Sequence, residues 1–237
     1  MRDPYLQKSC DVLDNLLGIT SQEELRQAEA DITNLSMNSV YNKTYYKFDS
    51  KTLCDIHRSI FGCLYAWAGK FRTIQMIKPE YVLGGDTVQY AHPGEIKAQL
   101  KEIMKELAKL NRDSMNDHEL VCKLSRIIGR IWHIHPFREG NTRSVIMFAI
   151  LYAQSIGFQV DHELFKENAN FVRGALVWTT QGIYSRYEYL ERIFCDAILH
   201  EEFTSKGQNE TTTSNYSSIE GYHVKDYEER PHIYVEK

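Results

Sequence analysis

Between residues 135 and 143 the chain reads His-Pro-Phe-Arg-Glu-Gly-Asn-Thr-Arg, a run of side chains suited to a polyphosphate. Gly140 beside a helix start lets backbone amides turn toward an anion, and the helix dipole adds a favourable partial positive charge there. Arg143 can hold phosphate oxygens in a two-pronged charge-assisted contact, and Asn141 can donate to a non-bridging oxygen. Glu139 supplies the carboxylate that Mg²⁺, or Mn²⁺ in its place, needs beside substrate phosphates. His135, with an ordinary pKa near 6.5, keeps a neutral fraction at pH 7 that can take a proton from an attacking hydroxyl. Together these groups describe metal-assisted phosphoryl or nucleotidyl transfer. Positioning and charge neutralisation carry most of the acceleration in such a reaction, and proton removal adds about 10²–10⁴-fold.

The elements that must position this loop read mostly as helices. Asp3 as N-cap and Pro4 at the first helical position predict a short opening helix, with Leu6, Val12, Leu13, Leu16 and Leu17, up to Gly18. Thr20 and Glu23 read as a capping box that starts a second helix through about Leu35. Asp49 or Ser50 caps a third, with Leu53, Ile56, Ile60, Phe61 and Leu64 at helical spacing. Between Gly69 and His92 the pattern changes to a small β-hairpin flap, roughly 73–90. Pro93 opens an amphipathic helix whose charged side is a solvated face. Asp117 caps the next helix, which runs through Ile131 and Trp132 into the loop and is ended by Pro136, and His133 on it packs structurally. Ser144 caps an apolar helix that stops at Gly157, so the loop lies between two buried helices, a ready anion trap. Further helices are expected near 163–172 and 187–202. Trp67, Trp132 and Trp178 read as core residues rather than an adenine platform.

From Ser205 the composition turns polar, and residues 205–237 read as a linker and tail, with a short helix over 216–222. The expected organisation is one catalytic domain over 1–204, with its core at about 48–202. A net charge of -4 spread over 28 basic and 32 acidic residues gives no cationic face for nucleic acid. The nine-residue apolar run 145–153 falls well short of the roughly 20 residues of a membrane span. Five widely spaced cysteines with no clustered Cys/His ligand spacing fit reduced thiols in a cytoplasmic protein without a secretory signal.

His135, Phe137, Glu139, Gly140, Asn141 and Arg143 together resemble the signature of the Fic family, His-x-Phe-x-(Asp/Glu)-Gly-Asn-(Gly)-Arg-x-x-Arg, and the Leu64-Tyr65-Ala66-Trp67-Ala68-Gly69 stretch and the flap extend the likeness. The resemblance implies an all-α helical bundle with a β-hairpin flap, in which ATP and Mg²⁺ lie over the loop and AMP passes to a Ser, Thr or Tyr hydroxyl of a target protein. It makes His135 the general base, Glu139 the metal ligand, Phe137 the buried loop anchor, and Gly140, Asn141, Thr142 and Arg143 the nucleotide contacts. Flap residues Thr73, Ile74, Gln75, Met76 and Ile77 would pair with an extended target segment. Two positions depart from the signature: Thr142 replaces its glycine and Ile146 its second arginine. Ser217-Ser218-Ile219-Glu220-Gly221 resembles the family's inhibitory motif, which makes Glu220 and Gly221 regulatory, and Tyr216, Ser217, Ser218 and Tyr222 candidate self-modification sites. An oligomer is compatible with the sequence but no pattern specifies it. The competing readings are phosphate transfer of the Doc-like kind and a degenerate nucleotide-sensing or partner-binding module.

Overall fold

The computed structural model describes residues 2–200, 216–219, 222–223 and 232–234, the last two segments by their backbone. Eight α-helices are present among them: α1 (Gln22–Tyr41), α2 (Ser50–Phe61), α3 (Ile96–Leu107), α4 (Asp117–Ile134), α5 (Asn141–Ser155), α6 (His162–Glu167), α7 (Ala169–Trp178) and α8 (Glu188–Leu199). The fold is the expected helical bundle with a small flap. Its axis is α4, which packs against α3, α5, α7 and α8. The reason is in its sequence: Leu120, Leu124, Ile128 and Ile131 are wholly buried, and Trp132 and Ile134 complete an apolar surface too wide for a helix with one solvated side. On α5, every residue from Ser144 to Ala153 is buried, so the apolar run is a central core helix.

Several helix ends differ from expectation, each for a local reason. Residues 3–17 form no helix. The Asp3 carboxylate accepts from the Tyr5 amide and also pairs with Arg138, Leu6 bridges Leu13, and the Asn15 side chain binds the Ile19 amide and carbonyl. Such side-chain bonds to backbone compete with a helical ladder. Helix α1 is capped by Ser21 rather than Thr20 and continues to Tyr41 because Val40 on its last turn is buried. Asp49 caps α2 through two amides, and Asn116, not Asp117, caps α4. Helix α5 starts at Asn141 with Gly140 at its cap, and Ser144 lies within the first turn, its amide bonded to the Gly140 carbonyl. The predicted helix at 163–172 is broken at Asn168 into α6 and α7.

The flap is a hairpin of β1 (Gln75–Pro79) and β2 (Thr87–Gln89), with Ile77 opposite Gln89. Thr73 and Ile74 precede the strand: the Thr73 amide donates to the Tyr5 hydroxyl, and Ile74 is buried. The expected helix over 216–222 is instead extended, with β3 (Ser218–Ile219) antiparallel to β4 (Tyr222–His223). Tyr216 and Ile219 are buried there: Tyr216 meets Phe171 at 4.8 Å, and Ile219 packs over Gly174 on α7. A last strand, β5 (His232–Tyr234), adds antiparallel to β1 on the side away from β2, giving the order β2-β1-β5. No helix among the described residues is long and apolar enough to cross a membrane.

Candidate active site

Helix α4 ends because His135 turns left-handed, at φ 52° and ψ 61°, a region few non-glycine residues occupy. Arg72 holds the turn there. Its buried guanidinium donates to the carbonyls of His135 at 2.7 Å, Ile74 at 2.5 Å and Ile134 at 3.3 Å, and also to that of Ala91. It thus satisfies carbonyls left over at the helix end and ties them to the base of the flap. Burial pushes the Arg72 pKa down to about 10, which leaves it charged at neutral pH. The His135 imidazole stacks on Tyr90 at 3.8 Å and 14°, and meets the edge of Trp132. Burial first, then the nearby Arg173, Arg72 and Lys78 cations, hold its pKa well below 6.5, so the ring is neutral at pH 7. Its Nδ1 is buried without a hydrogen-bond partner among the described residues.

The loop that follows is braced from inside. Asn141 is buried, its Oδ1 accepting from the Phe137 amide at 2.9 Å and its Nδ2 donating to the Phe137 carbonyl at 2.8 Å. The side chain thereby braces the loop from within, while the residue also lines the pocket around it. Phe137 is fully buried and packs at 3.9 Å on the ring of His57. His57 lies on α2, accepts the Gly69 amide at Nδ1 (2.9 Å) and therefore donates from Nε2 to the Glu139 carbonyl at 3.0 Å. Gly140 is left-handed (φ 75°), and a Cβ there would stand 2.2 Å from Phe61 Cζ, so both the turn and the space demand glycine. Thr142, where the signature has glycine, accepts the Trp132 indole N–H at 2.9 Å, and Ile146 is buried in the core. Arg138 forms a buried ion pair with Asp3 at 2.9 Å, so the N-terminal segment is pinned under the loop.

Around this loop lies a pocket of about 200 Å³, lined by Met76, Lys78, His135, Glu139, Thr142, Arg143 and Arg173 among others. Burial pushes the Glu139 carboxyl up, but the Arg143 and Lys78 cations outweigh it and hold the group below its ordinary pKa, hence ionised. It is the one carboxylate lining this pocket among the described residues, and its Oε1 accepts the Gly140 amide at 2.9 Å. An ionised carboxylate at the edge of this pocket fits a divalent ion that takes its remaining ligands from phosphate and water. Arg143 lies over the Phe61 ring at 4.7 Å and donates to Thr33 at 2.9 Å and to Glu29, both on α1. Glu29 also accepts the Tyr65 hydroxyl. On the far side, Arg173 pairs with the buried Glu80 at 2.6 Å. A larger groove of about 810 Å³ runs between the flap and α3, lined by Gln75, Gln89, Glu102 and His133, but it contains none of the loop.

The structure thus brings His135, Glu139, Gly140, Asn141, Thr142 and Arg143 to one pocket, with Met76 of the flap at its rim. Glu220 and Gly221 lie outside the described residues, as does the Tyr222 side chain. Tyr216 is buried and its hydroxyl is bonded to Asp196, whereas Ser217 is exposed. His133 donates from Nε2 to the Gln89 carbonyl at 3.1 Å and so fastens α4 to β2. Sequence reasoning missed Asp3, Glu29, His57, Arg72, Lys78, Tyr90 and Arg173. Of these, only His57 left a signal, a histidine on the buried stripe of Leu53, Ile56 and Ile60.

Residues 47–153 match the Fic/DOC family model. Protein adenylyltransferase VbhT of Bartonella schoenbuchensis is 30% identical over 161 residues, covering 67% of this chain and 32% of that protein. The chain spans about a third of the length of the two Bartonella adenylyltransferases it matches. A probable protein adenylyltransferase Fic of Escherichia coli is 25% identical over 169 residues, 71% of this chain and 80% of the other. Among solved structures, the BepC protein of Bartonella tribocorum with bound AMPPNP superposes with a TM-score of 0.69 at 24% identity, covering 81% of this chain and 95% of that one. With the fold, the loop and the sequence match in agreement, the chain carries a Fic/DOC family domain at residues 47–153.

Proposed function

We propose that the chain transfers AMP from ATP to a Ser, Thr or Tyr hydroxyl of a target protein, itself included. The observation that carries this reading is a neutral imidazole, His135, opening on the same pocket as an ionised carboxylate, Glu139, at the N-terminus of α5. The relatives named as adenylyltransferases and the fold neighbour holding AMPPNP support the nucleotide.

His135 would accept the proton of the attacking hydroxyl. The freed oxygen bonds to the α-phosphorus, and pyrophosphate leaves with the electron pair of the broken P–O bond. The left-handed turn at Gly140 starts α5 next to the pocket, where the helix dipole would favour phosphate, and Thr142 lies in its first turn. Glu139 would hold Mg²⁺ or Mn²⁺, which when bound neutralises phosphate charge. Phe137 and Asn141 keep the loop rigid. The pocket's 200 Å³ is below the roughly 300–1,000 Å³ of small-molecule sites. Seating the outer phosphates on Arg143 therefore requires Glu29 to yield its guanidinium. On the flap, Gln75, Met76 and Ile77 offer the edge that an extended target segment would take, and β5 of the same chain lies on that edge. A target must displace it.

The test is incubation of the purified chain with ATP labelled at the α- or the γ-phosphate, followed by intact-mass analysis, alongside His135→Asn. Asparagine is chosen because it tolerates the left-handed backbone at 135. The expected result is α-label with a mass gain of one AMP, lost in His135→Asn. Transfer of γ-label would replace this reading with phosphotransfer, and clear ATP binding without any transfer, alone or to added protein, would leave a binding module.

A further inference from the structure

The sequence shows no metal-ligand motif, but the fold assembles one far from the loop. His118 and Cys122 are four residues apart on α4, which places them one turn apart on the same face. Cys195 comes from α8, the helix that packs along α4. The ligand atoms of the three residues all lie within 4.8 Å of one another. Nδ1 of His118 and Sγ of Cys122 are 3.7 Å apart. With Zn–S near 2.3 Å and Zn–N near 2.0–2.1 Å, the N···S edge of a tetrahedral centre is about 3.6 Å, so this pair already stands at ligating separation.

We propose that His118, Cys122 and Cys195 form a zinc site that clamps the N-terminal end of α4 to α8. Two sulfurs and an imidazole are the donor set that selects a borderline-soft cation such as Zn²⁺ over Mg²⁺ or Ca²⁺, which take oxygen. Cys195 is buried, Cys122 half-buried and His118 exposed, so the fourth position opens outward, where water can fill it. On binding, both thiols lose their protons to solvent and the imidazole ligates in its neutral form through Nδ1. The Arg126–Glu191 ion pair at 2.6 Å crosses the same two helices one turn further along and holds them in register. Helical rise puts His118 about 25 Å along the axis from His135, so the metal acts on stability and not on the reacting groups.

The test uses the full chain, reduced and stripped of metal, titrated with cobalt(II) as the spectroscopic probe. The expected result is one equivalent per chain, with a thiolate-to-cobalt charge-transfer band and the intense visible bands of a tetrahedral centre, both bleached by zinc. Cys122→Ser and His118→Gln, which alter partly exposed positions and leave the core intact, should each weaken binding at least about tenfold, the scale set by disturbing a metal's surroundings. Zinc should raise the melting temperature of the parent chain, and raise that of His118→Gln by less at the same zinc concentration. Pale six-coordinate cobalt bands, or tetrahedral bands that persist in Cys122→Ser, would overturn the proposal. So would a Cys122–Cys195 disulfide forming in air from a reduced chain that takes up no metal.

Discussion

Acid should unfold this protein partly through one imidazole that never touches substrate. His57 is fully buried against Phe61 and Phe137, with both ring nitrogens engaged: Nδ1 accepts from Gly69 and Nε2 donates to the Glu139 carbonyl. Protonating Nδ1 would set two donors face to face in a dry site. Burial accordingly lowers its pKa from 6.5 to about 4. The unfolded chain gains that proton as pH falls through 6.5, whereas the folded chain refuses it until about 4. The neutral ring's contribution is therefore whole above pH 6.5 and is lost between 6.5 and 4. At 1.36 kcal/mol per pKa unit the loss is about 3 kcal/mol, a sizeable part of a domain's stability. Urea unfolding at steps from pH 7.5 to 4.5 would measure it, with His57→Phe as the partner chain. Phenylalanine keeps a ring in the slot and removes the titration; it lowers stability at pH 7 by stranding the Gly69 amide and Glu139 carbonyl, but its curve should fall less steeply toward acid. If the two curves run parallel to within about 1 kcal/mol, the reasoning about His57 is wrong.

Four other outcomes follow from the same geometry. The acid limb of kcat/KM, which reports the free enzyme, should lie well below pH 6.5, because burial and the cations around His135 keep its ring neutral there; a limb at or above 6.5 speaks against it as base. Gly140→Ala should cost roughly 2–5 kcal/mol, from the left-handed backbone and the collision with Phe61, lowering the melting temperature by about 4–20 °C. Adding Phe61→Leu should return only the steric share, as calorimetry of the double variant would show. Glu29→Gln removes the negative partner of Arg143 and should lower the ATP KM about tenfold, the scale of one charge-assisted bond; an unchanged KM would mean that the pair never competes with phosphate. Deleting residues 224–237 should lower the KM for an extended hydroxyl-bearing peptide severalfold while leaving that for ATP alone, because β5 no longer lies on the flap edge.

What could be read from the sequence was what sits together in it. The loop from His135 to Arg143 is contiguous, and its residue types alone name an anion and a proton acceptor. The helices that flank it are long and periodic enough to be seen, and the apolar run on α5 could only be core. Contacts across long separations carried no such trace. Asp3 meets Arg138, Glu29 meets Arg143, and Arg72 reaches the end of α4, and each is an ordinary surface residue type until the fold buries it. The opening helix failed for a related reason, since its cap residue was already committed to Arg138. Asn141 shows the converse: its place in the loop was plain, but its side chain turned inward to hold Phe137.

The strand β5 changes what an affinity measured on this chain would mean. An edge filled by the molecule's own backbone is open for only a fraction of the time, and a target's apparent dissociation constant is its intrinsic one divided by that fraction. If the edge is open one-tenth of the time, a target binds about ten times more weakly than its contacts warrant. By linkage, anything that binds the tail and draws β5 away restores that factor, and a bound target equally eases capture of the tail. If a target takes the flap edge as proposed, that edge and β5 are two ends of one equilibrium, and a partner for either is an effector of the other.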